Sequence, residues 1–86
     1  MKGLFNKVKN RYTRQRFVVS TIRKDEKLFE TAVFAASFWY IPKSLKKAEM
    51  TVYTQTQDEA WDIHYEITAR LTQEYPARLF QEFTSQ

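Results

Sequence analysis

Asp62, His64 and Glu66 are the residues of this sequence whose types and spacing come closest to a catalytic or metal-binding group. Two carboxylates four residues apart share one face of a helix, where they can bind a divalent cation or position a general base. Carboxylates on an outer helix face usually serve solvation instead, and a histidine beside an apolar stripe is usually packed. A metal-assisted hydrolase is therefore the last of three functional hypotheses, and we predict no catalytic residue, no metal ligand, no cofactor and no enzyme activity.

The scarcity of glycine and cysteine excludes several other kinds of site. Glycine occurs once, at Gly3, whereas P-loop and dinucleotide-binding motifs need several glycines for close backbone approach to phosphate. The absence of cysteine excludes disulfides and thiolate metal sites. No nucleophile-elbow sequence surrounds any of the serines, which are Ser20, Ser37, Ser44 and Ser85. Binding is consequently a better supported class of function than chemistry.

Charge is divided unequally along the 86 residues. Residues 1–47 hold twelve Lys and Arg against three Asp and Glu, and residues 48–86 hold two against seven. This asymmetry predicts that the front half faces an anionic partner or the acidic half of another copy of the chain. A chain this short gains buried area from aromatic packing or from self-association, so a monomer and a homodimer both stay open.

The segment 1–14 is predicted to be a basic N-terminal arm or helix in front of a single α+β domain at 15–86. As a helix it would carry four apolar residues along one side: Leu4, Phe5, Val8 and Tyr12. A nucleic-acid-binding arm, a membrane-surface helix, a docked helix and a disordered basic lead-in are the alternatives, and so few apolar residues bind a bilayer only weakly. The residues predicted to contact nucleic acid are all basic: Lys2, Lys7, Lys9, Arg11, Arg14 and Arg16.

Three β-strands are predicted in the middle of the chain. The runs from Gln15 to Ile22 and from Leu28 to Ile41 are rich in β-branched and aromatic residues and flank a charged turn, which indicates a hairpin. A third strand follows the basic loop that begins at Pro42. In the second run, the more apolar alternate set is expected to face the core: Leu28, Ala32, Phe34, Ala36 and Phe38. The other set is expected to cover a side loop or meet a partner.

The sequence "TQDE" marks the start of a helix, because Thr56 can cap the helix while Glu59 reaches back to the Thr56 amide. Ala60, Ile63, Ile67 and Leu71 then recur at helical spacing and form the stripe predicted to lie on the sheet. Pro76 ends this helix, and a short second helical turn is expected to dock Leu79, Phe80 and Phe83. The predicted fold is α+β, with a small three-stranded antiparallel sheet and one main C-terminal helix packed on it (β-β-β-α).

Aromatic residues on the predicted strands serve either packing or binding. Rings beside Arg and Lys on a sheet stack the bases of single strands in several small folds, but the basic, glycine and aromatic pattern of the RNA-recognition sheet is missing here. Core packing or an interface is the favoured interpretation of most of these rings. Around "IPKSLKK", however, an aromatic pair and three lysines are predicted to form a contact patch: Trp39, Tyr40, Lys43, Lys46 and Lys47.

The chain is predicted to be cytoplasmic. Its longest uncharged run, Thr31 to Pro42, is shorter than the roughly 20 apolar residues of a membrane span. Lys7, Lys9 and Arg11 interrupt the opening segment, which therefore lacks the continuous apolar core of a signal peptide.

Three segments, "VST", "LFETAVF" and "YTQTQDEAWDIH", resemble a family of small bacteriophage proteins with a VST strand, an FETMVF-like strand and a Y-T-x-x-E-A-x-x-x-H-like segment entering a helix. The resemblance covers about residues 18–70, with Glu30 and His64 as its recurring polar positions. Ala32 replaces the usual methionine, the first hairpin connection is shorter, and the basic segment lies outside the pattern. The family brings no biochemical activity with it. The resemblance implies a phage context, in which small proteins commonly bind host factors.

The main hypothesis is a compact, non-catalytic phage-type protein that binds and inhibits or redirects a host bacterial macromolecule, during host takeover or against host defence. A host protein is the expected partner, contacted through the sheet aromatics and the basic loop. The alternative is a nucleic-acid-binding protein that uses the basic arm together with the lysine-rich loop, with an affinity that falls steeply with salt. Glu30 is expected to pair structurally with His64 or Arg23 across the sheet–helix interface.

Overall fold

The computed structural model describes residues 3–84 and shows four strands followed by two helices. The strands are β1 (Leu4–Lys9), β2 (Arg16–Asp25), β3 (Leu28–Ala36) and β4 (Met50–Thr54), and the helices are α1 (Gln57–Gln73) and α2 (Pro76–Thr84). Each strand pairs antiparallel with the next, in the order β1-β2-β3-β4. One face of this sheet packs against the helices. The other, which we call the open face, carries Phe5, Lys7, Lys9, Arg16, Val18, Ala32, Phe34 and Tyr53.

The predicted three-stranded sheet with one main helix is wrong, because the structure has a fourth strand and a second helix. The basic opening segment forms the edge strand β1 rather than a helix. Successive side chains of a strand point to opposite faces, so Val8 reaches the core while Lys7 and Lys9 lie on the open face. The β-branched run of β2 supplies the partner, with Val8 opposite Phe17, and this pairing overrides the weak helical stripe.

The two faces of β3 are the reverse of those predicted. Phe29, Thr31 and Val33 face the helices, and the members of the more apolar set within β3 lie on the open face: Leu28, Ala32, Phe34 and Ala36. Phe38 lies beyond the end of β3. The assignment by apolar count failed because Thr31 is satisfied inside the core, where its hydroxyl lies 2.7 Å from that of Thr21. Counting Thr31 as polar made its set look unsuited to the core, although a buried hydrogen-bond partner satisfies its hydroxyl.

The core lies between the sheet and the helices. Its buried members come from every strand and from both helices: Val8, Phe17, Val19, Val33, Met50, Ile67, Leu71 and Leu79. The predicted start of α1 is confirmed, because the Thr56 hydroxyl accepts from the Glu59 amide while the Glu59 carboxylate accepts from the Thr56 amide. The predicted docking of the segment after Pro76 is also confirmed, with Leu79 buried and Phe80 and Phe83 packed against the core.

Charge differs between the two layers. The sheet and its loops, residues 3–54, hold eleven Lys and Arg against four Asp and Glu, whereas residues 57–84 of the helical layer hold two against six. Arg70 of α1 bonds two of these carboxylates, Glu74 and Glu82, so little free positive charge is left on the helices. An anionic partner is therefore attracted to the sheet and repelled by the helical layer.

Candidate functional site

His64 is buried between α1 and the sheet rather than exposed for chemistry. Its Nδ1 lies 2.7 Å from the Thr21 hydroxyl, and its Nε2 lies 2.7 Å from the Asn6 side-chain oxygen. Since that oxygen can only accept, Nε2 carries the ring proton and Nδ1 accepts from Thr21. Burial lowers the pKa of His64, which keeps the imidazole neutral.

Asp62 and Glu66 do not share a site with this imidazole. Both carboxylates are exposed, and Glu66 lies 3.7 Å from Arg70. Within residues 3–84, no group of three His, Cys, Asp or Glu side chains is arranged to hold a metal ion. The hydrolase hypothesis consequently has no geometric support.

Glu30 does not lie at the sheet–helix interface, where the sequence analysis expected it to pair. It lies on the open face, where its carboxylate accepts from the Tyr53 hydroxyl at 3.0 Å and lies 4.0 Å from Lys24 Nζ. The hydrogen bond that the Tyr53 hydroxyl donates to Glu30 raises the pKa of Tyr53. Glu30 and His64 are thus on opposite faces of the sheet, and the expected pair between them is absent.

The connection between β3 and β4, residues 37–49, exposes large apolar side chains, and we call it the apolar loop. Trp39 is 75% exposed, Leu45 74% and Ile41 62%. The predicted contact lysines Lys43, Lys46 and Lys47 lie in the same segment. The apolar loop therefore combines three exposed apolar side chains with three lysines.

The base of the apolar loop is tied to the sheet. The Ser37 amide donates to the Ile41 carbonyl, the Tyr40 amide donates to the Ser37 carbonyl, and the Lys43 amide donates to the Ala35 carbonyl, all at 2.9 Å. The Ser37 hydroxyl also accepts from the Trp39 and Ile41 amides, at 3.3 and 3.4 Å. These bonds hold the backbone in place while the side chains project outward.

Trp39 and Tyr40 of the predicted contact patch are adjacent in the sequence but contact different neighbours. Trp39 packs edge-on against Phe38, with 5.1 Å between ring centroids. Tyr40 has a positive φ of 60° and is half-buried, and its ring lies 5.7 Å from the Arg16 guanidinium carbon and 5.9 Å from Lys7 Nζ. The left-handed backbone conformation of Tyr40 places its ring beside the strand residues Arg16 and Lys7, whereas the Trp39 ring stays in the loop.

A second surface, which we call the cation–aromatic patch, lies on the open face beside this loop. It consists of Lys7, Lys9, Arg16, Phe38 and Tyr40. The guanidinium of Arg16 lies 4.4 Å from the Phe38 ring centroid, and Lys9 is the register partner of Arg16. The positive charge of Arg14, with burial and Arg16 as smaller causes, lowers the pKa of Lys9, as expected where cations are concentrated.

The structure divides five of the six cations that were predicted to contact nucleic acid between the cation–aromatic patch and the turn beside it. Lys7, Lys9 and Arg16 belong to the cation–aromatic patch. Arg11 and Arg14 lie in the turn between β1 and β2, where Arg11 packs 5.2 Å from the Tyr12 ring. Lys2 lies outside the described residues. The sheet therefore brings three of the six together, next to Tyr40 of the predicted contact patch.

Sequence reasoning missed three residues of these surfaces. Phe38 was assigned to the core but is 64% exposed, and Ile41 and Leu45 were given no binding role. A signal was available, because Pro42 and the serines at 37 and 44 interrupt the strand pattern and place these apolar residues in a loop.

Within residues 3–84, no helix has both the length and the apolar character required to cross a membrane. No protein-family model, no curated protein and no solved structure matches this chain at a significant level, so the resemblance to phage proteins stays a prediction.

Proposed function

We propose that this protein is a non-catalytic interaction protein that binds a bacterial host protein through the apolar loop. The observation that carries the proposal is the exposure of Trp39, Ile41 and Leu45 on one loop that also holds Lys43, Lys46 and Lys47. Exposed clusters of large apolar side chains mark interaction sites, and tryptophan is enriched among the residues that dominate binding energy.

The hydrogen bonds at the base of the loop support this proposal. A loop whose backbone is held before binding loses less conformational entropy when a partner covers it. Trp39 at the tip offers a large ring for a pocket on the partner, and the lysines suit an acidic rim around that pocket.

The phage origin and the host-directed role rest on the resemblance of residues 18–70. Under this proposal the protein acts in the host cytoplasm by surface contact, inhibiting or redirecting a host process in takeover or anti-defence. Self-association into a homodimer stays a prediction. The alternative of an arm acting together with the lysine-rich loop on nucleic acid also stays a prediction, with the arm residues 4–9 forming a strand of the sheet.

A pull-down from bacterial lysate with and without nuclease tests the proposal, at about 0.1 M salt and again at several-fold higher salt, where exposed charges are screened. The wild-type protein is compared with Ile41→Ser/Leu45→Ser, which removes apolar contacts without changing charge. Tyr65→Ser is the control, because Tyr65 is also exposed, at 53%, but lies on α1.

We expect one discrete host protein that the wild type and Tyr65→Ser retain at both salt concentrations and that the loop variant loses. Capture that survives the loop substitutions, or that disappears with nuclease or salt, would contradict the proposal. Circular dichroism of each variant checks that the fold is intact.

A further inference from the structure

We infer that the cation–aromatic patch is a binding site for single-stranded nucleic acid. It shares the loop 37–49 with the protein-binding residues but uses Phe38 and Tyr40 rather than Trp39, Ile41 and Leu45. The inference goes beyond the proposed function, because it adds a second ligand class that contacts different side chains. It rests on the arrangement of Lys7, Lys9, Arg16, Phe38 and Tyr40.

The charges of the patch match a phosphate backbone. Lys7 and Lys9 are alternate residues of β1 and so project from the same face, about 7 Å apart along the strand. Arg16 is paired with Lys9 on the neighbouring strand. The carboxylates of the strands, Asp25 and Glu30, lie at the opposite end of the sheet. Glu49 precedes β4, on the edge of the sheet opposite to β1. The β1 side of this end of the open face is thus cationic, with Lys7, Lys9 and Arg16.

The rings of the patch can stack bases. Phe38 remains 64% exposed although Arg16 lies over it, and a planar guanidinium on an aromatic ring extends the flat surface available to a base. The ring of Tyr40 is contacted by two cations from neighbouring strands, Arg16 of β2 and Lys7 of β1. Rings and cations therefore alternate across the patch, as proteins that bind single strands through stacking and phosphate contacts require.

The shape of the site favours a single strand over a duplex. The patch lies on the broad face of a sheet, and the base faces in a duplex are covered by their neighbours. The helices lie on the opposite face, within the acidic layer, so neither helix can enter a groove while the patch contacts phosphate. Only bases that are not stacked on their neighbours can stack on the rings of Phe38 and Tyr40, and a single strand offers such bases.

Fluorescence anisotropy of the full chain with a labelled 12-nucleotide single strand, and with the duplex of the same sequence, tests the inference. Lys7→Gln/Lys9→Gln removes two patch charges. Lys24→Gln/Lys27→Gln removes two charges at the opposite end of the sheet, so both variants have the same net charge. Phe38→Leu removes a stacking ring, and Ile41→Ser/Leu45→Ser alters the apolar loop alone.

We expect the single strand to bind more tightly than the duplex, and Lys7→Gln/Lys9→Gln to weaken it at least tenfold while the control charge variant changes it less than threefold. The slope of log affinity against log salt should fall by about 0.7 for each phosphate that the variant no longer neutralises. Phe38→Leu should weaken binding by about tenfold, the effect of losing one stacked base. The loop variant should bind like the wild type.

Equal loss in the two charge variants would overturn the inference, because it would show attraction by net charge alone. Duplex binding as tight as single-strand binding would overturn it too, as would equally tight binding of polyglutamate, which offers charge without bases. Loss of oligonucleotide binding in the loop variant would also contradict binding through Phe38 and Tyr40 rather than Ile41 and Leu45. None of these outcomes alters the protein-binding proposal, whose test depends on the apolar loop after nuclease treatment.

Discussion

His64 illustrates how a residue type that suggests chemistry can serve packing instead. Both of its ring nitrogens are occupied, by Thr21 and by Asn6, and the Thr21 hydroxyl continues to Thr31. The imidazole therefore has no free lone pair for a metal or a substrate. These three hydrogen-bonding residues come from three strands, so this side chain fixes the position of α1 over the sheet.

The buried imidazole predicts a pH dependence of stability. Burial lowers the pKa of His64, whereas the unfolded chain protonates near the ordinary value of about 6.5. Below that value the unfolded state binds the extra proton, so the free energy of unfolding should be level above about pH 7 and fall as the pH drops toward 5. Urea unfolding at a series of pH values measures this dependence.

His64→Gln is the control for this prediction, because an amide can still donate to Asn6 but does not titrate. We expect a lower plateau of stability and a much weaker dependence between pH 7 and 5. Glu74 and Glu82, whose pKa values are lowered by hydrogen bonds from Arg70, lose their contribution only at more acidic pH. An unchanged slope in the variant would assign the dependence to other groups.

Asn10 is the most connected side chain of the turn between β1 and β2. Its amide nitrogen donates to the carbonyl oxygens of Leu71, at 2.6 Å, and of Glu74. Its oxygen accepts from the amides of Tyr12 and Thr13, at 2.9 and 3.0 Å. One fully buried side chain thus forms hydrogen bonds with backbone amides of the turn and with backbone carbonyls at the C-terminal end of α1.

We expect Asn10→Ala and Asn10→Asp to destabilise the protein by about 2–4 kcal/mol. Aspartate keeps the acceptor for the turn amides but cannot donate to the helix carbonyls, and its charge faces their oxygens. Denaturant unfolding measures both variants, with Thr13→Ala as an exposed control expected to cost about 1 kcal/mol or less. An aspartate variant as stable as the wild type would mean that the bonds to α1 contribute nothing.

The sequence could predict those elements whose determinants are local. The capping box at Thr56 and Glu59 spans four residues, and the structure confirms it. The faces of β3 depend instead on Thr21, which satisfies Thr31 from another strand. The role of Asn10 depends on partners 61 and 64 residues away, and no pattern near Asn10 reveals them.

The apolar loop contains a backbone feature that its residue type does not suggest. Tyr40 has a φ of 60°, a conformation that glycine adopts freely and that crowds the Cβ of other residues. The chain has one glycine, at Gly3, so this turn is built without it. The Tyr40 ring lies near Arg16 and Lys7, and these contacts offset the backbone strain.

Comparison of Tyr40→Gly with Tyr40→Ala isolates that strain, because both lose the ring but only alanine keeps a Cβ. We expect the glycine variant to be the more stable by about 1 kcal/mol. At Tyr65, inside α1, the order should reverse, with alanine the more stable by about 1 kcal/mol. Thermal unfolding of the four variants measures both differences. The same order at both positions would show that Tyr40 is unstrained in solution.

At the scale of the whole molecule, the unequal charge along the chain becomes a difference between layers. The basic front half supplies three of the four described strands and most of the loop before β4, and the acidic remainder supplies β4 and both helices. The sequence predicted the unequal charge along the chain but not which layer is basic. The layer could be assigned only once residues 4–9 were known to join the sheet. Both proposed surfaces lie in the basic layer, whose positive charge attracts an acidic partner of either kind.

The same strand makes the front of the chain part of the folded unit. Val8 is buried, Asn6 bonds His64, and Asn10 bonds the end of α1. Deletion of residues 1–14, which would be harmless for an arm outside the domain, should therefore abolish cooperative folding. The buried valine contributes about 1.5–3 kcal/mol and each buried polar group left unpaired costs about 1–3 kcal/mol. Their sum is comparable with the roughly 5–15 kcal/mol that stabilises a typical domain.

Near-ultraviolet circular dichroism and thermal unfolding of the fragment 15–86 measure this prediction. Phe5→Ser in the full chain is the control, because Phe5 belongs to β1 but is 58% exposed, so its loss should leave a cooperative transition. A fragment with a sharp transition would show that β1 is dispensable and that residues 1–14 are an arm after all. Loss of the transition in the fragment, with retention in Phe5→Ser, would show that buried contacts of β1 hold the helices on the sheet.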